Sequence, residues 1–100
     1  MVRQIIVKKL NSTAGDFAKN ESKEKIFEIF KLMGQNIKEI QSMELGSNKN
    51  PEDDTWDFVI NLTFNTWEDL ITYWKHPEHE RTSMFVRALT DTVCRTDYEF

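Results

Sequence analysis

The sequence predicts an α+β sandwich whose elements run β-α-β-β-α-β. Three observations carry that prediction. Residues 56–64 alternate apolar and polar with strict period two. Residues 26–37 repeat apolar side chains at helical spacing. Shorter strand-like segments open and close the 100-residue chain, with a second helical stretch before the last of them.

The first strand covers residues 2–10. Gln4, Ile6 and Lys8 fall on one face and Ile5, Val7 and Lys9 on the other, with β-branched residues in the middle. Residues 11–18 read as a polar connection, with Gly15 as its turn point. Ile26, Phe27, Ile29, Phe30, Met33 and Ile37 then form the apolar face of a helix capped by Asn20 or Ser22. Glu21 and Lys25 make a favourable i, i+4 pair on its outer side, and Gly34 and Asn36 mark its end. Residues 40–45 form a short strand, and residues 46–55 (GSNKNPEDDT) an exposed loop.

The clearest strand follows over residues 56–64. Trp56, Phe58, Ile60, Leu62 and Phe64 share one face, and Asp57, Val59, Asn61 and Thr63 the other. Thr66 caps the next helix, with Asp69 three residues on as in a capping box. Pro77 interrupts that helix after Lys75, so His76 reads as the cap of a new segment with acids in its first turn. Met84, Phe85, Ala88 and Leu89 supply its apolar side. Residues 93–100 close the chain as a strand, with Cys94, Thr96, Tyr98 and Phe100 opposite Val93, Arg95, Asp97 and Glu99. The result is a single domain over residues 1–100: a ferredoxin-like, four-stranded antiparallel sheet with its helices on one face. The other face carries Ile5, Val7, Val59 and Cys94, too apolar to stand bare, and a second copy of the chain is the expected cover.

Composition bounds the function. One cysteine excludes a disulfide framework and a multi-cysteine zinc site. Residues 1–50 carry 9 Lys/Arg against 6 Asp/Glu, and residues 51–100 carry 4 against 11. The acidic balance and scattered lysines disfavour nucleic-acid binding. No apolar run approaches a membrane span, and the opening MVRQIIVKKL is too short for a secretory signal, so a cytoplasmic protein is expected. Phosphate loops, dinucleotide fingerprints and nucleophile elbows are absent from the sequence.

Several phrases together resemble the stress-responsive dimeric α/β-barrel (Dabb) family. MVRQIIVKKL is similar to its first strand, IQSMELG (residues 40–46) to its second and WDFVINLTF (residues 56–64) to its third. Tyr73-Trp74-Lys75-His76-Pro77-Glu78-His79 is similar to the family's Tyr followed by His-Pro-x-His, and Asp97-Tyr98 to the end of its last strand. The resemblance implies a homodimer whose two sheets close into a barrel with the helices outside, and a pocket in each protomer between its sheet and helices. Olivetolic acid cyclase-type relatives use that pocket to fold a polyketide without a cofactor. By resemblance, Tyr73 and His79 are the acid–base pair. Ile26, Phe27 and Phe30 from the helix, and Ile6, Phe58, Ile60 and Leu62 from the sheet, are the expected walls. Gln4 stands where relatives commonly carry a His, which removes a titratable group. Lys8 and Arg95 fall on the pocket side where the cyclase has apolar residues. These charges admit an anionic ligand, and Asp97, on the strand face of Arg95, is the alternative partner.

Plainer roles compete at each position. His79 sits at a helix start, where it can simply bond the preceding turn, and His76, also counted among the expected pocket residues, suits capping better than catalysis. A metal on the two histidines would need a carboxylate such as Glu80, and no metal or cofactor is expected. Trp56, Trp67 and Trp74 suit anchoring of helices to the sheet. Glu52-Asp53-Asp54 suits solvation, and Cys94 has no activating neighbour in sequence. The sequence thus supports a dimer that binds a small, largely apolar organic molecule, neutral or anionic. Two alternatives stand beside it: a cofactor-independent cyclase-like or isomerase-like enzyme, and a ligand-free, stress-related structural dimer.

Overall fold

In a computed structural model, which describes residues 1–11, 15–52 and 54–100, seven elements follow in order. They are β1 (Val2–Leu10), α1 (Asp16–Asn36), β2 (Ser42–Ser47), β3 (Phe58–Phe64), α2 (Trp67–Lys75), α3 (Pro77–Leu89) and β4 (Thr90–Glu99). The strands pair in the order β2-β3-β1-β4, every neighbour antiparallel. This is the ferredoxin-like α+β arrangement, with the second helical segment divided in two. Residues 12–14 of the expected polar connection, and Asp53 of the acidic run, lie outside the described residues.

Alternation on β1 decides which side chains meet the helices. Val2, Gln4, Ile6, Lys8 and Leu10 are buried, and the residues between them are half-buried on the opposite face. On β3, Phe58, Ile60, Leu62 and Phe64 join the same core. The pairing sets Arg95 beside Ile6 and Asp97 beside Gln4, so the odd positions of β4 also face the helices. From α1, Ile26, Phe30, Met33 and Ile37 fill the layer, and Leu70 and Tyr73 join from α2. Ile5, Val7, Val59 and Cys94 fall together on the sheet face away from the helices.

Several boundaries differ from expectation. Helix α1 begins a turn early, with the extended backbone of Gly15 as its cap and the Lys19 amide donating to the Gly15 carbonyl at 2.9 Å; neither Asn20 nor Ser22 serves. Strand β2 starts at Ser42 because Ile40 still belongs to the turn leaving α1, its amide donating to the Ile37 carbonyl at 3.2 Å. Trp56 and Asp57 precede β3 rather than opening it. The Asp57 carboxylate accepts from the Leu10 amide at 2.7 Å, and the Asp57 amide donates to the Lys8 carbonyl at 2.9 Å, which ties this loop end to β1. Strand β4 begins at Thr90, directly after α3, against a register shift between Lys9 and Leu10.

The helix starts follow their capping residues. Thr66 Oγ1 accepts from the Asp69 amide at 3.1 Å, and His76 Nδ1 accepts from the Glu78 amide at 3.0 Å with Pro77 in the first turn of α3. The buried side of α3 is only partly the expected one, since Leu89 packs against the core. Met84 and Phe85 are exposed, whereas Thr82 and Val86 are buried. The cap at His76 sets the phase of α3, and that phase turns His79 rather than Met84 toward the sheet.

Candidate ligand cavity

Where α3 leaves the sheet, a cavity of about 470 Å³ opens between β1, β4, α2 and α3. Gln4, Ile6 and Lys8 form its floor from β1, Tyr73 comes from α2, His79 from α3 and Arg95 from β4. Phe30 of α1 supplies an apolar wall.

Its polar end is a hydrogen-bonded string. The Tyr73 hydroxyl donates to Gln4 Oε1 at 2.9 Å, and Gln4 Nε2 donates to Asp97 Oδ1 at 2.8 Å. The order of donors is fixed at the carboxylate end, which only accepts and so demands the amide nitrogen. The amide oxygen is left for Tyr73, whose proton therefore points at Gln4. Burial pushes the Tyr73 phenol well above its ordinary value; Arg95 opposes that shift and Asp97 adds to it. The hydroxyl is thus a neutral group, fully buried at the cavity lining with its proton held by Gln4.

His79 packs edge-on against the Tyr73 ring, with centroids 4.6 Å apart. Burial is the main cause that pushes its imidazole below the ordinary value. A hydrogen bond to the Trp74 backbone and the charge of Glu80 oppose this, and the charges of Arg95 and Arg87 reinforce it. Near neutral pH the ring is uncharged and able to take a proton. Lys8 is buried, its Nζ 3.3 Å from Thr90 Oγ1, and burial followed by the Arg87 charge lowers its pKa. Arg95 lies over the Trp74 ring at 5.2 Å, and its Nε is 4.0 Å from Asp97 Oδ2.

The expected site residues divide. Gln4, Ile6, Lys8, Phe30, Tyr73, His79 and Arg95 meet at the cavity. Ile26, Phe58, Ile60 and Leu62 do not. They are buried in the core cluster and do not line the cavity. Phe27 sits edge-on to Phe58 at 5.8 Å and borders a shallower groove between α1 and β2 with Met43 and Leu45. His76 is committed to capping α3. Asp97 stands behind Gln4 and is not a wall. Sequence reasoning missed Thr82, Ser83 and Val86, which line the cavity beside His79. Counting i, i+3, i+4, i+7 from His79 gives these positions, but the apolar Met84 and Phe85 drew the helix face elsewhere. Among the described residues no group of three or more His, Cys, Asp or Glu could hold a metal.

Fold and cavity together define a ferredoxin-like protomer with a ligand-sized chamber between sheet and helices. The sequence matches the family model described as the stress responsive A/B barrel domain, Dabb, over residues 5–100, and the chain belongs to that family. It is similar to a dimeric protein of unknown function from Bacteroides fragilis, with a TM-score of 0.88 and 26% identity over 99% of this chain and 95% of that one. A dimeric ferredoxin-like protein from Thermobifida fusca gives 0.84 at 14% identity, over 99% and 90%. The hydroxynitrile lyase of Passiflora edulis gives 0.83 at 14% identity, over 97% and 90%. No curated protein matches the sequence. No helix among the described residues is long and apolar enough to cross a membrane.

Proposed function

We propose that this Dabb protein is a homodimeric module that binds a small, largely apolar organic molecule in the cavity. The observation that carries the reading is the chamber of about 470 Å³, with an apolar wall and a few convergent polar groups, Tyr73, Gln4 and His79, at one end. Ligand sites have this size and this makeup. A structural dimer with no ligand would fill such a space. Pairing is supported by the apolar face of Ile5, Val7 and Val59 and by two neighbours described as dimeric. The test is a thermal-shift screen of neutral aromatic and aliphatic compounds on the parent chain and on Ser83→Trp, which fills the cavity. Hits that raise the melting temperature of the parent and not of Ser83→Trp are expected. Shifts of equal size in both would overturn the assignment.

A second reading has its own support in the contact between Tyr73 and a neutral His79 on one cavity wall. In it, His79 takes a proton from the carbon α to a carbonyl and Tyr73 polarises the carbonyl oxygen. The Tyr73 proton would first have to leave Gln4 for the substrate. Solvent deuterium entering the α-position of a bound ketone, abolished by His79→Gln, is the expected result; exchange unchanged by that substitution would exclude His79 as the base.

A further inference from the structure

The cavity floor carries a charge that the fold does not answer. Lys8 is 8% exposed, and among the described residues its ammonium has only the neutral Thr90 hydroxyl as a hydrogen-bond partner. Ion pairs of the described residues give it no carboxylate. Its neighbours on the same strand face, Ile6 and Leu10, are apolar, and an apolar residue at position 8 would pack at lower cost. Arg95 stands diagonally across the β1–β4 pair, since Lys8 faces Val93 and Arg95 faces Ile6. Like charges on neighbouring strands repel. Asp97 relieves Arg95 only in part, at 4.0 Å, because its other oxygen accepts from Gln4. Arg87 brings a third positive charge to the lining from α3, against Glu80.

We infer that the ligand of this cavity carries a carboxylate, received between Lys8 and Arg95, with its apolar body lying against Phe30, Val86 and Val93. This rests on the cavity being a ligand site. A carboxylate there supplies the counter-charge that Lys8 lacks and accepts charge-assisted hydrogen bonds from both cations. The Thr90 hydroxyl holds the ammonium in place from the side away from the ligand by accepting from it, while donating in turn to the Val86 carbonyl at 2.9 Å.

The test uses matched probes: benzoate, 2-naphthoate and octanoate, each beside its neutral amide. Affinity is measured by calorimetry, and location by methyl chemical-shift changes at Val86 and Val93. At least one acid is expected to bind tenfold or more tightly than its amide. Lys8→Met should weaken the acid tenfold or more and leave the amide within twofold. Arg95→Gln, at a more exposed position, should weaken the acid in the same sense and serves if Lys8→Met fails to fold. Equal binding of acid and amide, or equal loss of both in the variants, overturns the carboxylate assignment and leaves the ligand site standing. Binding of no probe overturns both.

Discussion

Gln4 lies between two groups that would otherwise be stranded under the helices. Replacing it with Leu leaves the Tyr73 hydroxyl and an Asp97 oxygen without their partners, and a buried unmet polar group costs about 1–3 kcal/mol. Urea unfolding of Gln4→Leu should report a loss of that size, and Tyr73→Phe, which removes one end of the string, a smaller one. Titration gives a second residue-scale prediction. Burial holds His79 below the ordinary imidazole value of 6.5, so the unfolded chain binds the proton first as pH falls. Stability should therefore decline as pH drops below about 6.5, through the lower folded value. The denaturation midpoint of the parent minus that of His79→Gln, measured from pH 8 to pH 4, should fall on the acid side; a flat difference would refute it. Tyr73 works in the opposite direction. Its raised value stabilises the fold below about 10, and that stability is lost as pH rises above it. Its phenolate absorbance at 295 nm should appear only with unfolding. The pairing of Tyr73 with His79 was implied by the resemblance of the residue 73–79 phrase to its family, and the two rings lie 4.6 Å apart. The Gln4 bridge was not, since it joins residues 69 and 93 positions apart through strand pairing that no local pattern encodes.

At the scale of elements, the caps and the close approaches decide most. Thr66→Ala removes the side-chain acceptor at the start of α2 and should cost about 1 kcal/mol in thermal or chemical unfolding. Gly46 faces Val59 across the β2–β3 pair, and a Cβ there would stand 2.8 Å from Val59 Cγ1. The stiff Val rotamer cannot turn aside freely. Gly46→Ala should therefore destabilise by about 1–3 kcal/mol, and the added substitution Val59→Ala should recover part of it. Full additivity of the two changes would show that this contact is not the cause. Helices and strands with clean periods, α1 and β3 above all, were legible because burial on one face selects the pattern. Their ends were less so. The cap at Gly15 depends on backbone shape and carries no side-chain signature, and the buried side of α3 depends on where His76 starts the helix.

Across the whole molecule, one sheet face meets the helices and the other awaits a cover. The folded chain exposes 6432 Å², close to the roughly 6,000 Å² that a single folded chain of this mass exposes. Light scattering at micromolar concentration should return twice the 11.9 kDa chain mass, and the parent mass alone would refute pairing. Ile5→Asp, which places a carboxylate on the uncovered face, should shift the population to the single chain and lower its melting temperature together. The need for a cover was legible from the alternation of β1 and β3, because strict period two assigns every side chain to one face. The cavity was legible only through the family resemblance, because it depends on how far α3 stands from β1 and β4, a distance no residue pattern carries.

Strand β1 has one more consequence. Its positions 4, 6 and 8 hold the cavity floor and its odd positions the opposite face, so on the proposed reading ligand choice and partner choice are spelled on alternating letters of one nine-residue word. Inheritance can rewrite one set and spare the other. On that reading a lineage that exchanged Gln4 or Lys8 would acquire a new small molecule while its subunit contacts passed on untouched, and a single fold would diversify its chemistry without renegotiating its assembly.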